Sequence, residues 1–118
     1  MLRERVIDVD YTSINVKGKK KGHNFEFDII AHNGNEIIVV EVKTNLRVRY
    51  VKQFLQQLKG FKELLPKYEK TKVYGAIAFP NEADDVATYA EKKKLFVIRA
   101  TGDSAAIVNE EGFVPGVF

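Results

Sequence analysis

An α/β fold is what this sequence predicts: a mixed β-sheet with helices packed on it, built in the order β-β-β-α-β-α-β. Three observations carry that reading. Residues 1–43 hold three segments with the alternation and β-branched content of strands, joined by glycine-containing turns. Beyond Thr44 the apolar residues recur every three and four positions, as on one helix face. Thereafter strand-like and helix-like segments alternate, the pattern of helices crossing over a sheet.

Residues 6–16 (VIDVDYTSINV) read as the first strand and Lys17 to Asn24, with Gly18 and Gly22, as a turn region. Residues 25–31 (FEFDIIA) form the second strand. His32-Asn33-Gly34-Asn35 is a hairpin signal, because Asn-Gly readily takes the positive φ of tight turns. Residues 36–43 (EIIVVEVK) form the third strand. Val51, Phe54, Leu55, Leu58, Phe61, Leu64 and Leu65 then mark one helix, with Asn45 placed to cap it and Pro66 at its end. Residues 72–79 are a buried strand. A helix over 82–93 follows, its first turn carrying Asp84 and Asp85 and its end Lys92 to Lys94, a charge order that suits the helix dipole. Residues 95–100 form another strand, and 105–109 a short final one.

The 118 residues amount to one domain, and 45% hydrophobic residues suffice for its core. With no cysteine, disulfide scaffolds, thiolate zinc sites and a cysteine nucleophile are excluded. The net charge is only +3, yet residues 17–72 hold 13 basic and 6 acidic side chains, which permits a polyanionic partner. The longest apolar runs, Ile37–Val40 and Val73–Phe79, are too short to cross a bilayer, and the charged start has no apolar segment after it. A soluble, cytoplasmic domain without a membrane partner is expected.

The third strand is the informative one. Ile37 to Val40 is apolar on both faces, as in a central strand, yet its end carries Glu41 and Lys43 on one face. Ionisable groups there are costly unless paired, hydrated or metal-bound. The hairpin adds Asp28. With Asn33-Gly34 as the two-residue turn, Asp28 faces Val39 and lies diagonal to Glu41; with Gly34-Asn35 it sits directly opposite Glu41. Both registers put Asp28, Glu41 and Lys43 on one face, within about 5–8 Å of one another. Two carboxylates so placed can converge on a hard cation such as Mg²⁺. Glu26 shares that face as an auxiliary ligand. The other face, with Phe25, Phe27, Ile29, Ile38, Val40 and Val42, is apolar and is expected to receive the helices. Two carboxylates and a lysine suit metal-assisted phosphodiester hydrolysis.

Phe-Asp28-Ile followed by Val-Glu41-Val-Lys43, at the ends of adjacent strands, resembles the PD-(D/E)xK nuclease superfamily. Gln57-Leu-Lys-Gly-Phe61 is similar to the Gln-x-x-x-Tyr element of some members, with Phe in place of Tyr. The resemblance runs from about Val6 to Arg99 and is nearest to uncharacterised prokaryotic nuclease-like domains. It implies a restriction-endonuclease-like mixed sheet flanked by helices, with Mg²⁺ or Mn²⁺ as cofactor and DNA as partner. It implies that Asp28, Glu41 and the Val42 backbone carbonyl bind the metal and that Lys43 positions the attacking water. Gln57, or Gln53 one turn earlier, would support the site or the phosphate. The proline that names the motif is absent, Phe27 preceding Asp28. The helix that members carry before the first strand is absent too, so residues 1–118 read as a single nuclease-like domain cut from a longer chain. Nucleases of this kind often work as dimers, which makes a homodimer an expectation without an identified interface.

Lys19, Lys20 and Lys21 at a hairpin tip, and Arg47, Arg49 and Lys52 after the third strand, are the candidate contacts for a nucleic-acid backbone. Asp84 and Asp85 read as helix-start acids, His23 and His32 as solvent-exposed turn residues, and Tyr50 and Phe61 as core or rim aromatics. A second reading keeps the fold without the activity, as a nucleic-acid-binding or assembly module.

Overall fold

The computed structural model describes residues 11–20, 22–80, 84–101 and 104–118. Six strands form one sheet in sequential order: β1 (Tyr11–Lys20), β2 (His23–Asn33), β3 (Glu36–Val42), β4 (Lys72–Phe79), β5 (Phe96–Thr101) and β6 (Ser104–Ile107). The helices are α1 (Val48–Lys59), α2 (Phe61–Leu64) and α3 (Asp84–Lys92), with a 3-10 turn at Pro66–Tyr68. β1, β2 and β3 pair antiparallel, β3, β4 and β5 parallel, and β6 antiparallel to β5. The part of the first strand expected at 6–10 lies outside the described residues.

Both parallel links, β3–α1–β4 and β4–α3–β5, step the same way along the sheet. Right-handed crossovers therefore put both helices on one face. There Val51, Phe54, Leu58 and Phe61 pack on Ile37 and Val39 of β3 and Val73 and Ile77 of β4, all essentially fully buried. Gly75 lets the layers close up, since a Cβ there would stand 2.5 Å from Leu58 and 2.7 Å from Leu95. A smaller cluster on the opposite face joins Ala76, Phe96 and Phe113 with Ile38, Val40 and Tyr74, so residues past β6 cover that side.

The helices thus lie on the face of Ile37, Val39 and Glu41, not on the face of Ile38 and Val40 as expected. β3 is apolar on both faces from 37 to 40, so its own pattern could not choose. The crossovers choose for it.

β2 breaks the alternation that the sequence argument assumed. Phe25 and Phe27 pack in the helix-side cluster, and so does Ile30, an odd and an even position on one face. The change of face falls between Phe27 and Ile30. The β1 ladder pairs Val16 with Phe27 and Ile14 with Ile29 but skips Asn15, whose φ is +52°. Asparagine tolerates this left-handed conformation better than most residues. Ile14, on the far side of the break, is 67% exposed.

Other boundaries shift for local reasons. The expected turn at 17–24 shrinks to the region of Gly22 (φ +80°), with Lys17 to Lys20 in β1 and His23 and Asn24 in β2. Gly18 is strand, and its bare Cα accepts the Phe25 ring directly over it. The helix expected to run to Pro66 is interrupted at Gly60, and it begins after Arg47 with no side-chain cap, so Asn45 is not its cap residue. α3 starts at Asp84, with residues 81–83 outside the described set.

Candidate functional site

β2 and β3 pair with Ile29 opposite Val40 and Asn33 opposite Glu36, which makes Gly34-Asn35 the turn. Of the two open registers this is the one that puts Asp28 directly across from Glu41. The main-chain ladder stops at Ile29, and the Asp28 side chain takes over: its Oδ2 accepts the Val42 N–H at 2.9 Å. The Asp28 carboxyl is close enough to Glu41 to raise its pKa. Lys43 is held by its own backbone, whose N–H donates to the Ala78 carbonyl at 2.9 Å, extending the β3–β4 pairing by one residue. Its Nζ lies 3.8 Å from Glu41 Oε2. The three residues singled out from sequence form one cluster at the carboxyl end of β3, where open α/β sheets commonly bind ligands.

Burial and the neighbouring Asp28 raise the Glu41 carboxyl from 4.5 to about 7; the Lys43 ammonium opposes the rise without cancelling it. Glu41 is the more enclosed member, its side chain 16% exposed against 32% for Lys43.

A further member comes from the first turn of α1. The Lys43 Nζ sits 4.6 Å from the centroid of the Tyr50 ring, and the Arg49 guanidinium 4.8 Å from it. Arg49 Nη2 also donates to the Tyr50 hydroxyl at 3.1 Å. That hydrogen bond, with the charges of Arg49, Lys43 and Arg47, lowers the phenol below its ordinary value. Tyr50 is thus more than the core or rim aromatic its sequence position suggests. The signal that could have found it is its place on the first exposed turn after Glu-x-Lys.

Glu26 is the more distant carboxylate: its charge adds the smallest of the contributions that raise Glu41. Because β2 changes face near Asp28, Glu26 lies across from its flanking phenylalanines, and its ion pair is with Lys17 at 3.9 Å. Gln57 is exposed and lines a shallow groove with Lys17, Lys19, Phe25 and Glu26. Helical spacing aligns Tyr50, Gln53 and Gln57 on one ridge of α1, so the two glutamines continue the flank that begins at Lys43. Phe61 is wholly buried, edge-on to Phe27 with ring centroids 5.0 Å apart, and serves the core.

Among the basic candidates, Arg47, Arg49 and Lys52 are exposed at the start of α1, and Arg47 and Arg49 act on Tyr50 beside the cluster. Lys19 is exposed on β1, whereas Lys20 donates to the Glu63 carbonyl in α2, and Lys21 lies outside the described residues. His32 is not an exposed turn residue. It is 5% exposed in β2, between the Ser13 hydroxyl (3.2 Å) and the Tyr68 hydroxyl (3.4 Å), because the turn starts two residues later than expected. The His23 side chain is outside the described set.

The donor set fits a small hard cation. Mg²⁺ is commonly bound through one or two carboxylates, with waters and substrate phosphate completing its shell. The proximity of the two carboxyls, which raises Glu41, leaves a place for positive charge that a proton or a cation can fill. Among the described residues no group of three or more His, Cys, Asp or Glu side chains is placed to hold a metal, so the protein's share would rest on this pair. No helix among the described residues is long and apolar enough to cross a membrane.

A family model, described as a domain of unknown function (DUF8196), matches residues 1–107. The chain belongs to the DUF8196 family. Asp28, Glu41, Lys43 and Tyr50 all fall within the matched segment of this DUF8196 domain. No curated protein matches it.

Proposed function

We propose that this DUF8196 domain is a metal-dependent DNA nuclease with a restriction-endonuclease-like fold. The observation that carries the reading is the meeting of Asp28, Glu41 and Lys43 at the carboxyl end of β3, in the register that sets the carboxylates opposite each other. Asp28 and Glu41 would hold Mg²⁺ or Mn²⁺, with the Val42 carbonyl beside them as a further donor. When bound, such an ion polarises a phosphoryl oxygen and lowers the pKa of a coordinated water.

The side chains supply the rest. Asp28 is oriented by the Val42 N–H, which fixes one carboxylate edge. Lys43, steered by Glu41 on one side and the Tyr50 ring on the other, is free to move the short distance needed to hold a water or to neutralise charge growing on the phosphate. Arg47, Arg49 and Lys52 line the approach and suit phosphate contacts. The substrate would be DNA and the location cytoplasmic, the homodimer following only from the resemblance.

One observation favours a second reading. Asp28 is engaged by the Val42 N–H and Glu41 by Lys43, as in a structural cluster. The domain would then be an inactive nuclease-fold module that binds nucleic acid or a protein. Incubation of plasmid and single-stranded DNA with Mg²⁺ or Mn²⁺ separates the two. The nuclease reading expects metal-dependent cutting by the wild type and none by Lys43→Ala. Equal cutting by both proteins, or none by either, contradicts it.

A further inference from the structure

The helix layer carries a second basic feature away from the carboxylate cluster. α1 and α3 each leave the carboxyl end of a parallel strand, so they run side by side in the same direction. Between them is a groove of about 320 Å³ lined by Lys52, Gln56 and Lys59 of α1 and by Tyr89 and Lys93 at the end of α3. Three of its lining residues are lysines and none is acidic. The nearest acid on α3, Glu91, is turned elsewhere: its carboxylate accepts the Glu110 N–H at 3.0 Å.

Lys59 closes α1 and Lys93 follows the last turn of α3, each a favourable place beside a helix carboxyl end. Together they bring like charges to one groove, a repulsion that a bound anion would relieve. Gln56 and the Tyr89 hydroxyl add neutral donors of the kind that contact phosphate oxygens. From Lys52 to Lys59 is seven residues, about 10 Å along the helix axis. Lys52 also continues the exposed Arg47 and Arg49, so the basic band runs from beside Lys43 along α1 into the groove.

We propose that the α1–α3 groove is a second nucleic-acid contact, holding the phosphate backbone of the strand that extends away from the carboxylate cluster. It rests on the nuclease reading for the choice of partner. The continuity of the band with Lys43 favours a nucleic acid over an acidic protein.

The test is fluorescence anisotropy of a labelled DNA duplex with the full chain in EDTA, which stops metal-dependent cutting, over a series of salt concentrations. Lys59→Gln/Lys93→Gln is compared with Lys70→Gln/Lys72→Gln, two exposed lysines outside the groove with the same change of net charge. The groove variant is expected to bind about tenfold more weakly and to lower the slope of log affinity against log salt by about 2, while the control stays within about twofold of wild type. Equal effects of the two variants would overturn the proposal, leaving only net charge. So would groove-dependent binding of a poly-glutamate peptide with no binding of the duplex. Metal-dependent cutting by the wild type in the separate Mg²⁺ assay, with a groove variant that binds as wild type in EDTA, would sink the groove and spare the nuclease. Groove-dependent binding without any cutting would do the reverse.

Discussion

The Lys43 ammonium lies between the Glu41 carboxylate, 3.8 Å away, and the face of the Tyr50 ring, 4.6 Å from its centroid. Two elements and the link between them meet in this contact: Glu41 is in β3, Lys43 just past it, and Tyr50 on the first turn of α1. The arrangement restrains a flexible side chain without burying its charge, and it makes the role of Tyr50 separable from that of its hydroxyl.

Tyr50→Phe keeps the ring and is expected to keep the restraint on Lys43, whereas Tyr50→Leu removes it. A partly exposed cation–π contact is worth about 0.5–1 kcal/mol, so the leucine variant should cut DNA about two- to fivefold more slowly than wild type, with phenylalanine close to wild type. Initial cleavage rates at saturating substrate read this directly. Independent of cutting, acylation of Lys43 followed by mass spectrometry should be faster in the leucine variant. Equal acylation in all three proteins would remove Tyr50 from the site.

The raised Glu41 carboxyl has a consequence for folding. In the unfolded chain this group titrates near 4.5 and in the folded one near 7, so between those values the native state holds a proton that the unfolded state has lost. The contribution is fully present below about pH 4.5 and is lost as pH rises through 7, by up to about 3 kcal/mol without added metal. Urea unfolding at pH 5 and pH 8 should show this fall, and Glu41→Gln should flatten it. A wild-type stability that rises over the same interval, with the glutamine variant tracking it, would show that Glu41 does not titrate there.

Asp28 has a structural duty as well as a chemical one, because it is the acceptor for the Val42 N–H at 2.9 Å. Asp28→Ala strands that donor and should destabilise the protein by about 1–3 kcal/mol. Asp28→Asn retains a side-chain oxygen and should cost less. Thermal melts of the two variants decide the matter, and equal melting temperatures would mean that water replaces the lost acceptor.

The strand and helix order was legible because each segment kept one period long enough to be read: β3 in Glu36–Val42, and α1 in Val51, Phe54 and Leu58. The meeting of Asp28, Glu41 and Lys43 was legible as well, because both two-residue turns at Asn33–Asn35 preserve parity. The face that receives the helices was not. Ile37 to Val40 suits either side, and the handedness of the crossovers decides. The placing of Asp28 on the same face as Phe27, and the pairing of Glu26 with Lys17, were hidden too. Both follow from the change of face at Asn15 and Asp28, a backbone event without a distinctive sequence mark, since Asn15 is an ordinary strand-edge polar residue until its φ is known. Tyr50 was missed because its partner is a cation from another element, and periodicity reports only what faces the core.

The claim on which the rest depends is that Asp28 and Glu41 together bind one divalent cation. Calorimetric titration of Mn²⁺ into the protein at pH 8 measures it most directly. One ion per chain, with binding lost in both Asp28→Asn and Glu41→Gln and retained in Lys43→Ala, is the expected result; unchanged binding in both carboxylate variants, or no binding to the wild type, would contradict it.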